Sequence, residues 1–444
     1  MKSSQNMASC GPHALIIVLI LGIFGGACDP AQDVRKLAGA AGAHALEPLP
    51  SPDAARVELG RMLFFDPILS GNRDISCATC HHPRFATADG LPLPIGTGGE
   101  GLGPERTMRR AKTRVARNSP DLFNRAHPRV HTMFWDNRIE AGPDGQIVSP
   151  AGGLLPAHAR TMSAAQALFP LIARTEMRGE QRDVNNEIGA LLDSQNIQIW
   201  AAVLARVTAI DGYKTLLAQA YPDVPFEQLS AEHLANALAD FQAASFDLVD
   251  SPWDAFMRGD AALTPSALRG AKLFFGDAGC ATCHNGPLLS DQTPHNIGVP
   301  VFGPGKEPFK PLDVGHQAVT GNPLDAFKFR TPPLRNVALT GPYMHNGAFA
   351  TLPQTIQHHL DPAASWDTWT PEHLADDLSG SVRRDPDTRK RVWATLELAS
   401  PKTTLTTNDV QDLVAFLNAL TSPSAKRLES VIPSAVPSGL PVQR

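Results

Sequence analysis

Two stretches of the chain carry residues whose order dictates a chemistry. Cys77-Ala78-Thr79-Cys80-His81 and Cys280-Ala281-Thr282-Cys283-His284 are the same pentapeptide, about 200 residues apart. C-x-x-C-H is the pattern of a c-type haem attachment site. Two thiols add across the vinyl groups of the haem, and the His beside the second Cys sits under the iron. A zinc site or a redox Cys pair would also use two thiols. Neither requires the adjacent His, which here recurs with the pair. His81 and His284 are therefore read as proximal ligands of two irons.

The group on the other side of each iron decides what that iron does. A reactive iron needs an open position, whereas an electron-transfer iron takes two protein ligands. After the second pentapeptide, Met344, His345, His358 and His359 are candidates by residue type. After the first, residues 86–117 contain no His, and Met108 is their only conventional soft ligand. His82 directly follows His81 and is poorly placed to reach the opposite face. Arg114 and Arg117 suit haem propionates, or equally the solvated charge of a loop.

Helical segments must position these motifs. Residues 53–65 place Val57, Leu59, Met62, Leu63 and Phe65 on one broad face, with Ser51-Pro52-Asp53 as a start signal. Gly60 and then Leu63-Phe64-Phe65 precede the first pentapeptide. Gly270 and then Leu273-Phe274-Phe275 precede the second. Such an internal repeat predicts two related domains. The spacing differs: Cys77 follows Phe65 by twelve positions, and Cys280 follows Phe275 by five. Residues 187–250 read as helical, with Leu234, Leu238 and Phe241 on one face. Ser251-Pro252-Trp253-Asp254 breaks that pattern and marks a boundary. A short helix is expected over 352–360 and a closing amphipathic helix over 409–420.

The composition is that of a globular chain with ample core: 444 residues, 43% hydrophobic, net charge −5. No basic excess points to nucleic acid. Pro (39) and Gly (35) are plentiful, which predicts long irregular loops. Lys2 and the apolar run 14–24 fit a signal sequence, being too short for a comfortable span. Gly25-Gly26-Ala27-Cys28 suggests lipid attachment at Cys28, although Gly25 stands where Leu is usual. Cleavage nearby without lipidation is the alternative. Four of the six Cys belong to the pentapeptides, Cys10 lies in the signal, and Cys28 is left over. No pair remains for a structural disulfide. The expected organisation is a signal over 1–27, a tether over 28–50, haem domains over 51–250 and 251–425, and a loose tail over 426–444.

Between the two haem motifs stand Arg117-Asn118-Ser119-Pro120-Asp121-Leu122-Phe123-Asn124 and Phe134-Trp135-Asp136-Asn137-Arg138. After the second come Phe329-Arg330-Thr331-Pro332-Pro333-Leu334-Arg335-Asn336 and Pro342-Tyr343-Met344-His345-Asn346-Gly347. In these blocks the chain resembles the bacterial dihaem cytochrome c peroxidase family, which includes MauG. The resemblance runs from about 53 to 420, with an apparent insertion around 140–163 and a longer stretch at 295–325. One departure is Asn137, where the family has Gly. The resemblance implies a mainly α fold of two cytochrome c-like domains. Its N-terminal haem would react with peroxide and its C-terminal haem would carry electrons. Glu176 matches the family's catalytic Glu and Gln166 its distal Gln, ten positions apart as in the family. Without the family, Glu176 would read as an ordinary exposed carboxylate. Trp135 matches the Trp between the haems, although a core aromatic would be buried for packing alone. His359, seventeen positions after Pro342, matches the distal ligand of the second haem, with His358 next in line if the register slips. The family places Met there in peroxidases and Tyr in MauG. A calcium ion held by Asn118 and the carbonyls of Thr340 and Pro342 is also implied.

Many peroxidases of the family block the reactive iron with a loop His, and residues 86–118 have none. The first iron is therefore expected to be open at rest, with Met108 the residue that could close it. The leading expectation is a periplasmic peroxidase that reduces hydrogen peroxide with electrons from a small cytochrome c or cupredoxin. A MauG-like enzyme oxidising a residue of a partner protein is the second reading. A dihaem electron-transfer cytochrome is the third. Dimers occur in the family, and no interface can be read from the sequence.

Overall fold

The computed structural model describes residues 29–155, 159–306, 311–397 and 404–444. The signal run and Cys28 lie outside them.

The chain is mainly helical, as the periodicity predicts. The helices used below are α1 (Pro30–Ala40), α2 (Ala54–Phe65), α3 (Met162–Ala167), α4 (Asn196–Thr208), α5 (Asp211–Ala220), α6 (Ala231–Phe246), α7 (Pro265–Phe275), α8 (Leu352–Leu360) and α9 (Thr407–Ala419). Strands are short. β1 (Thr132–Met133), β2 (Ile139–Ala141) and β3 (Ile147–Val148) form an antiparallel sheet in that order, with Met133 opposite Ile139. β4 (Pro294–His295) pairs antiparallel with β5 (Phe329–Arg330).

The repeated Gly and Leu-Phe-Phe have a common structural reason. Helix α2 crosses α6 at Gly60, where an added Cβ would overlap the carbonyl of Ala237. Helix α7 crosses α9 at Gly270, where an added Cβ would overlap the carbonyl of Asp412. Each glycine lets two backbones touch. The aromatic pair then fills the space beside the crossing. Phe64 meets Phe241 at 5.2 Å and Phe246 at 5.9 Å. Phe274 meets Phe416 at 5.0 Å, and Phe275 stacks on Trp253 at 5.4 Å. Asp53 starts α2 by accepting the Arg56 N–H at 3.0 Å, and Thr264 starts α7 in the same way.

Two apolar cores result. The first runs from Leu46 to Phe246 and takes in Leu288, Ala425, Leu428 and Val436. The second joins Val34, Ala38 and Ala43 to residues between Trp253 and Leu420. The two chain ends thus cross: the N-terminal helix packs on the second core, and the C-terminal segment packs on the first.

That crossing corrects two expectations. Residues 29–50 are not an open tether. Asp29 caps α1, and Val34 and Ala38, one turn apart, are fully buried. Its buried side chains are small, and the Ala, Gly and Pro of residues 29–50 give the segment the composition of a linker. The C-terminal segment is not loose either. It contains two short 3₁₀ turns within Pro423–Val431, separated by a kink at Arg427, and Val436 is buried. Ser438 donates to the buried Asp66 carboxylate at 2.6 Å, and Thr79 of the first pentapeptide bonds the Gln443 side chain.

Candidate active site

Cys77–Cys80 forms a single helical turn begun by Ser76, and His81 ends it. His81 Nδ1 lies 3.2 Å from the Thr87 carbonyl and 3.3 Å from Ser119 Oγ. Ser119 in turn donates to the Cys80 carbonyl at 2.7 Å. These bonds occupy Nδ1 and leave Nε2 for a metal, as a proximal His requires. Burial holds the ring below its usual pKa and so in the neutral, ligating form.

The pentapeptide borders a cavity with about 1280 Å³ of atom-free space, part of it open to solvent. Gln166, Glu176, Trp135 and Asn118 line the same cavity, so the fold brings the expected N-terminal site residues together. Gln166 comes from α3, started by Thr161. Glu176 sits on a five-residue π turn, Arg174–Arg178. Such turns cost regular hydrogen bonding and mark functional sites. Its flanks are pinned. Arg174 and Arg178 both reach Asp193, at 2.7 and 2.8 Å. The Glu176 carbonyl accepts the Thr97 N–H at 2.9 Å. Gly96 makes that approach possible, because a Cβ there would overlap the Thr175 carbonyl.

Trp135 follows β1 and donates its indole N–H to the Asn118 carbonyl at 2.9 Å. Its own carbonyl accepts the Arg330 N–H at 2.7 Å, so the indole is tied to β5, which follows the second haem motif. The departure at Asn137 is explained here. Its φ is +53°, in the left-handed region that Gly and Asn tolerate best.

The arginines divide differently from the sequence expectation. Arg114 pairs with Asp377 at 2.6 Å. Arg117 lies between Asp136 and Asp313, at 2.6 Å from each. Both are therefore neutralised by carboxylates. Arg125 and Arg330, which the sequence reading passed over, are buried and line the cavity. Arg125 bonds Asp121 at 3.0 Å, and Arg330 donates to the Thr132 carbonyl at 3.1 Å. Arg125 Nη1 and Arg330 Nε have no partner among the described residues. Burial, helped by Arg125, pushes Arg330 down to about 9. Two buried guanidiniums with unpaired donors call for further anions. Haem propionates are anions of that kind, so the cavity fits the group its pentapeptide implies.

Met108 is half-buried and is not among the residues lining this cavity. Met133 and Met177 are, and the sequence reading missed them because they lie outside residues 86–117. His82 is buried, with Nε2 3.4 Å from the Gln443 carbonyl and Nδ1 accepting the Arg84 N–H at 3.2 Å.

The second site is narrower. His284 Nδ1 bonds the Leu289 carbonyl at 3.1 Å, matching His81 and Thr87. His359 comes from α8, begun by a Thr351–Gln354 capping box. Its Nδ1 bonds the Thr355 carbonyl at 2.8 Å, again freeing Nε2. The two ring centroids are 6.3 Å apart. Two imidazoles on opposite sides of one metal, each bonded at about 2 Å, would stand about 6 Å apart. Burial and the neighbouring His359 push His284 down to about 4, which keeps it neutral for ligation. His358 is different: Nδ1 bonds Ser365 Oγ at 3.0 Å and Nε2 the Ile297 carbonyl at 2.9 Å, leaving no free nitrogen. His345 stacks on Phe329 at 3.4 Å, and Met344 packs against the cluster of Phe302 and Trp369. Asn118 spends its hydrogen bonds on Leu91, Pro92, His345 and Trp135; Thr340 and Pro342 are not among these partners.

Residues 54–262 match the family described as di-haem cytochrome c peroxidase. Among curated relatives, the methylamine utilization protein MauG of Methylorubrum extorquens is 30% identical over 349 residues, covering 76% of this chain and 79% of that one. The cytochrome c551 peroxidase of Pseudomonas aeruginosa is 31% identical over 291 residues, covering 65% and 67%. Among solved structures, a MauG-like protein associated with microbial copper homeostasis superposes with a TM-score of 0.59 at 28% identity, covering 88% of this chain and 95% of that one. With two attachment sites of matching geometry, this likeness over most of both chains makes the protein an oxidoreductase that belongs to the dihaem cytochrome c peroxidase family and carries two haem c groups.

Proposed function

We propose that the protein reduces hydrogen peroxide to water at its N-terminal haem, with electrons entering at its C-terminal haem from a small redox protein. The observation that carries this is the asymmetry of the two proximal histidines. His284 faces a second imidazole at 6.3 Å, whereas His81 borders a cavity lined by a carboxylate, an amide and an indole.

The bound haem supplies the redox chemistry that cleaves the O–O bond. The chain's own residues supply position and protons. Glu176 takes a proton from one peroxide oxygen and returns it to the other, so that the departing oxygen leaves as water. The balance is one peroxide, two electrons and two protons giving two waters. Gln166 hydrogen-bonds the peroxide through its amide. Trp135, fixed by Asn118, carries electrons between the two sites. His284 and His359 would hold the second haem between them, and two neutral imidazoles suit electron transfer. The calcium site at Asn118, Thr340 and Pro342 and the lipid anchor at Cys28 complete the proposal, with the periplasm as compartment.

The second reading is a MauG-like enzyme that oxidises a residue on a partner protein. His359 in place of Met favours it, as does the lack of a His within residues 86–118. Stopped-flow mixing of the oxidised holoprotein with hydrogen peroxide separates the two. Rapid oxidation and repeated turnover of a reduced small cytochrome c are expected for the peroxidase. A long-lived oxidised state that ignores the cytochrome would move the assignment to the second reading. Reaction only after prereduction of one haem would overturn the open first site, with Met133 and Met177 the first residues to test.

A further inference from the structure

One cation on the wall of the first cavity has no role in the account above. Lys306 lines that cavity together with Glu176, Gln166 and Trp135. It lies in the 295–325 stretch, between the second pentapeptide and β5. Its position is held from close by. Phe302 is buried and stacks on Trp369 with centroids 5.9 Å apart and planes within 10°. The Gly303 N–H donates to Ser381 Oγ at 2.8 Å, and its φ of +93° suits glycine.

The charges around Lys306 are already committed. Asp136 pairs with Arg117 at 2.6 Å and with Arg138 at 2.9 Å. Asp313 holds the other edge of Arg117. Arg138 also lies over the Phe134 ring at 4.3 Å. Among the described residues Lys306 forms no ion pair of its own. Glu176, on the same cavity wall, has no arginine partner among the described residues. A half-buried ammonium beside two arginines is costly unless an anion joins it.

We propose that Lys306 is the anion-binding group of the peroxide pocket: its ammonium draws hydroperoxide and other small anions to the open face of the N-terminal haem. This rests on reading the first cavity as the peroxide site. The surroundings support it. Burial and the neighbouring Arg138 push the Lys306 ammonium down to about 8, while Glu176 acts in the opposite sense, with Arg117 and Asp136 contributing less. Its charge is therefore present at neutral pH and lost in mildly alkaline solution. Anion affinity should fall over that range.

The test is ligand titration of the oxidised holoprotein, read from the haem spectrum, with fluoride and azide as anions and imidazole as a neutral control. In Lys306→Met, both anions should bind on the order of tenfold more weakly, the size expected for removing one charge at close range in a partly screened site. Imidazole affinity should be unchanged, and Lys306→Arg should retain anion affinity. The alkaline fall in fluoride affinity should disappear in Lys306→Met. Equal anion affinity in the unmodified protein and Lys306→Met would overturn the proposal. A changed N-terminal haem potential with unchanged anion binding would also overturn it, and would make Lys306 a propionate partner. Failure of any anion to bind the unmodified protein would instead overturn the open-site reading, and the proposal with it. If Lys306→Met does not assemble with haem, the comparison of Lys306→Arg with Lys306→Gln decides in the same way.

Discussion

At the scale of single residues, the two haem sites differ by what their histidines face. His81 and His284 are held alike, each with Nδ1 on a backbone carbonyl at 3.1–3.2 Å. Only His284 has a second imidazole opposite. His359→Ala should therefore convert the C-terminal haem from low spin to high spin. Electron paramagnetic resonance reads this directly, and an unchanged low-spin signal would remove His359 from the iron. Glu176→Gln keeps shape and loses the proton-transfer group. Peroxide turnover should fall by about 10²–10⁴, the usual worth of a positioned acid–base group, with both haem spectra intact. Unchanged turnover would take Glu176 out of the mechanism. His358 shows why neighbouring histidines could not be ranked by residue type: only the fold reveals that both of its nitrogens are already bonded.

At the scale of elements, the Gly and Leu-Phe-Phe repeat marks a helix crossing used twice. Adding a methyl at either glycine would drive it into a backbone carbonyl, Ala237 in one case and Asp412 in the other. Alanine ordinarily favours a helix by up to about 1 kcal/mol over glycine. Here overpacking should win, and Gly60→Ala and Gly270→Ala should each destabilise by about 1–3 kcal/mol. Denaturant unfolding followed at each haem would show it, and a stabilised variant would refute the crossing. Residues 53–65, 352–360 and 409–420 locate α2, α8 and α9 nearly to the residue, because each begins at a side-chain cap, Asp53, Thr351 or Thr406. The same approach failed for α1. Its buried face is built of Val34 and Ala38, and the small residues and prolines around it give the segment the composition of a linker.

At the scale of the whole molecule, the crossed chain ends join the two halves. Helix α1 lies on the second core, with the Ala41 carbonyl accepting the Gly286 N–H at 2.9 Å, just beyond the second pentapeptide. The C-terminal segment lies on the first, at Asp66, Thr79 and His82. Removing residues 433–444 would expose the apolar face under Val436, Leu440 and Val442 and take Ser438 from the buried Asp66. The first haem domain should lose about 2–4 kcal/mol. Thermal unfolding should then show an earlier transition at the N-terminal haem and an unchanged one at the C-terminal haem. A uniform shift of both would mean that the halves unfold as one unit.

The sequence alone determined the covalent chemistry: which cysteines and histidines can carry haem, how many haems there are, and the repeated helix that precedes each. Those features are local, since the pentapeptide and the Gly and Leu-Phe-Phe pattern lie within a few residues of one another. Through the resemblance it also named Glu176, Gln166 and Trp135, which the fold gathers on one cavity. The tertiary structure decided what depends on distant residues meeting. It set His359 rather than His358 opposite His284, and paired Arg114 and Arg117 with carboxylates, Arg117 on the wall of the first cavity. It turned Arg125 and Arg330 into the cavity with unsatisfied donors, and seated both chain ends. Partners tens to hundreds of residues apart leave no mark in local spacing, because ligand, charge and burial partners are fixed only when the chain packs.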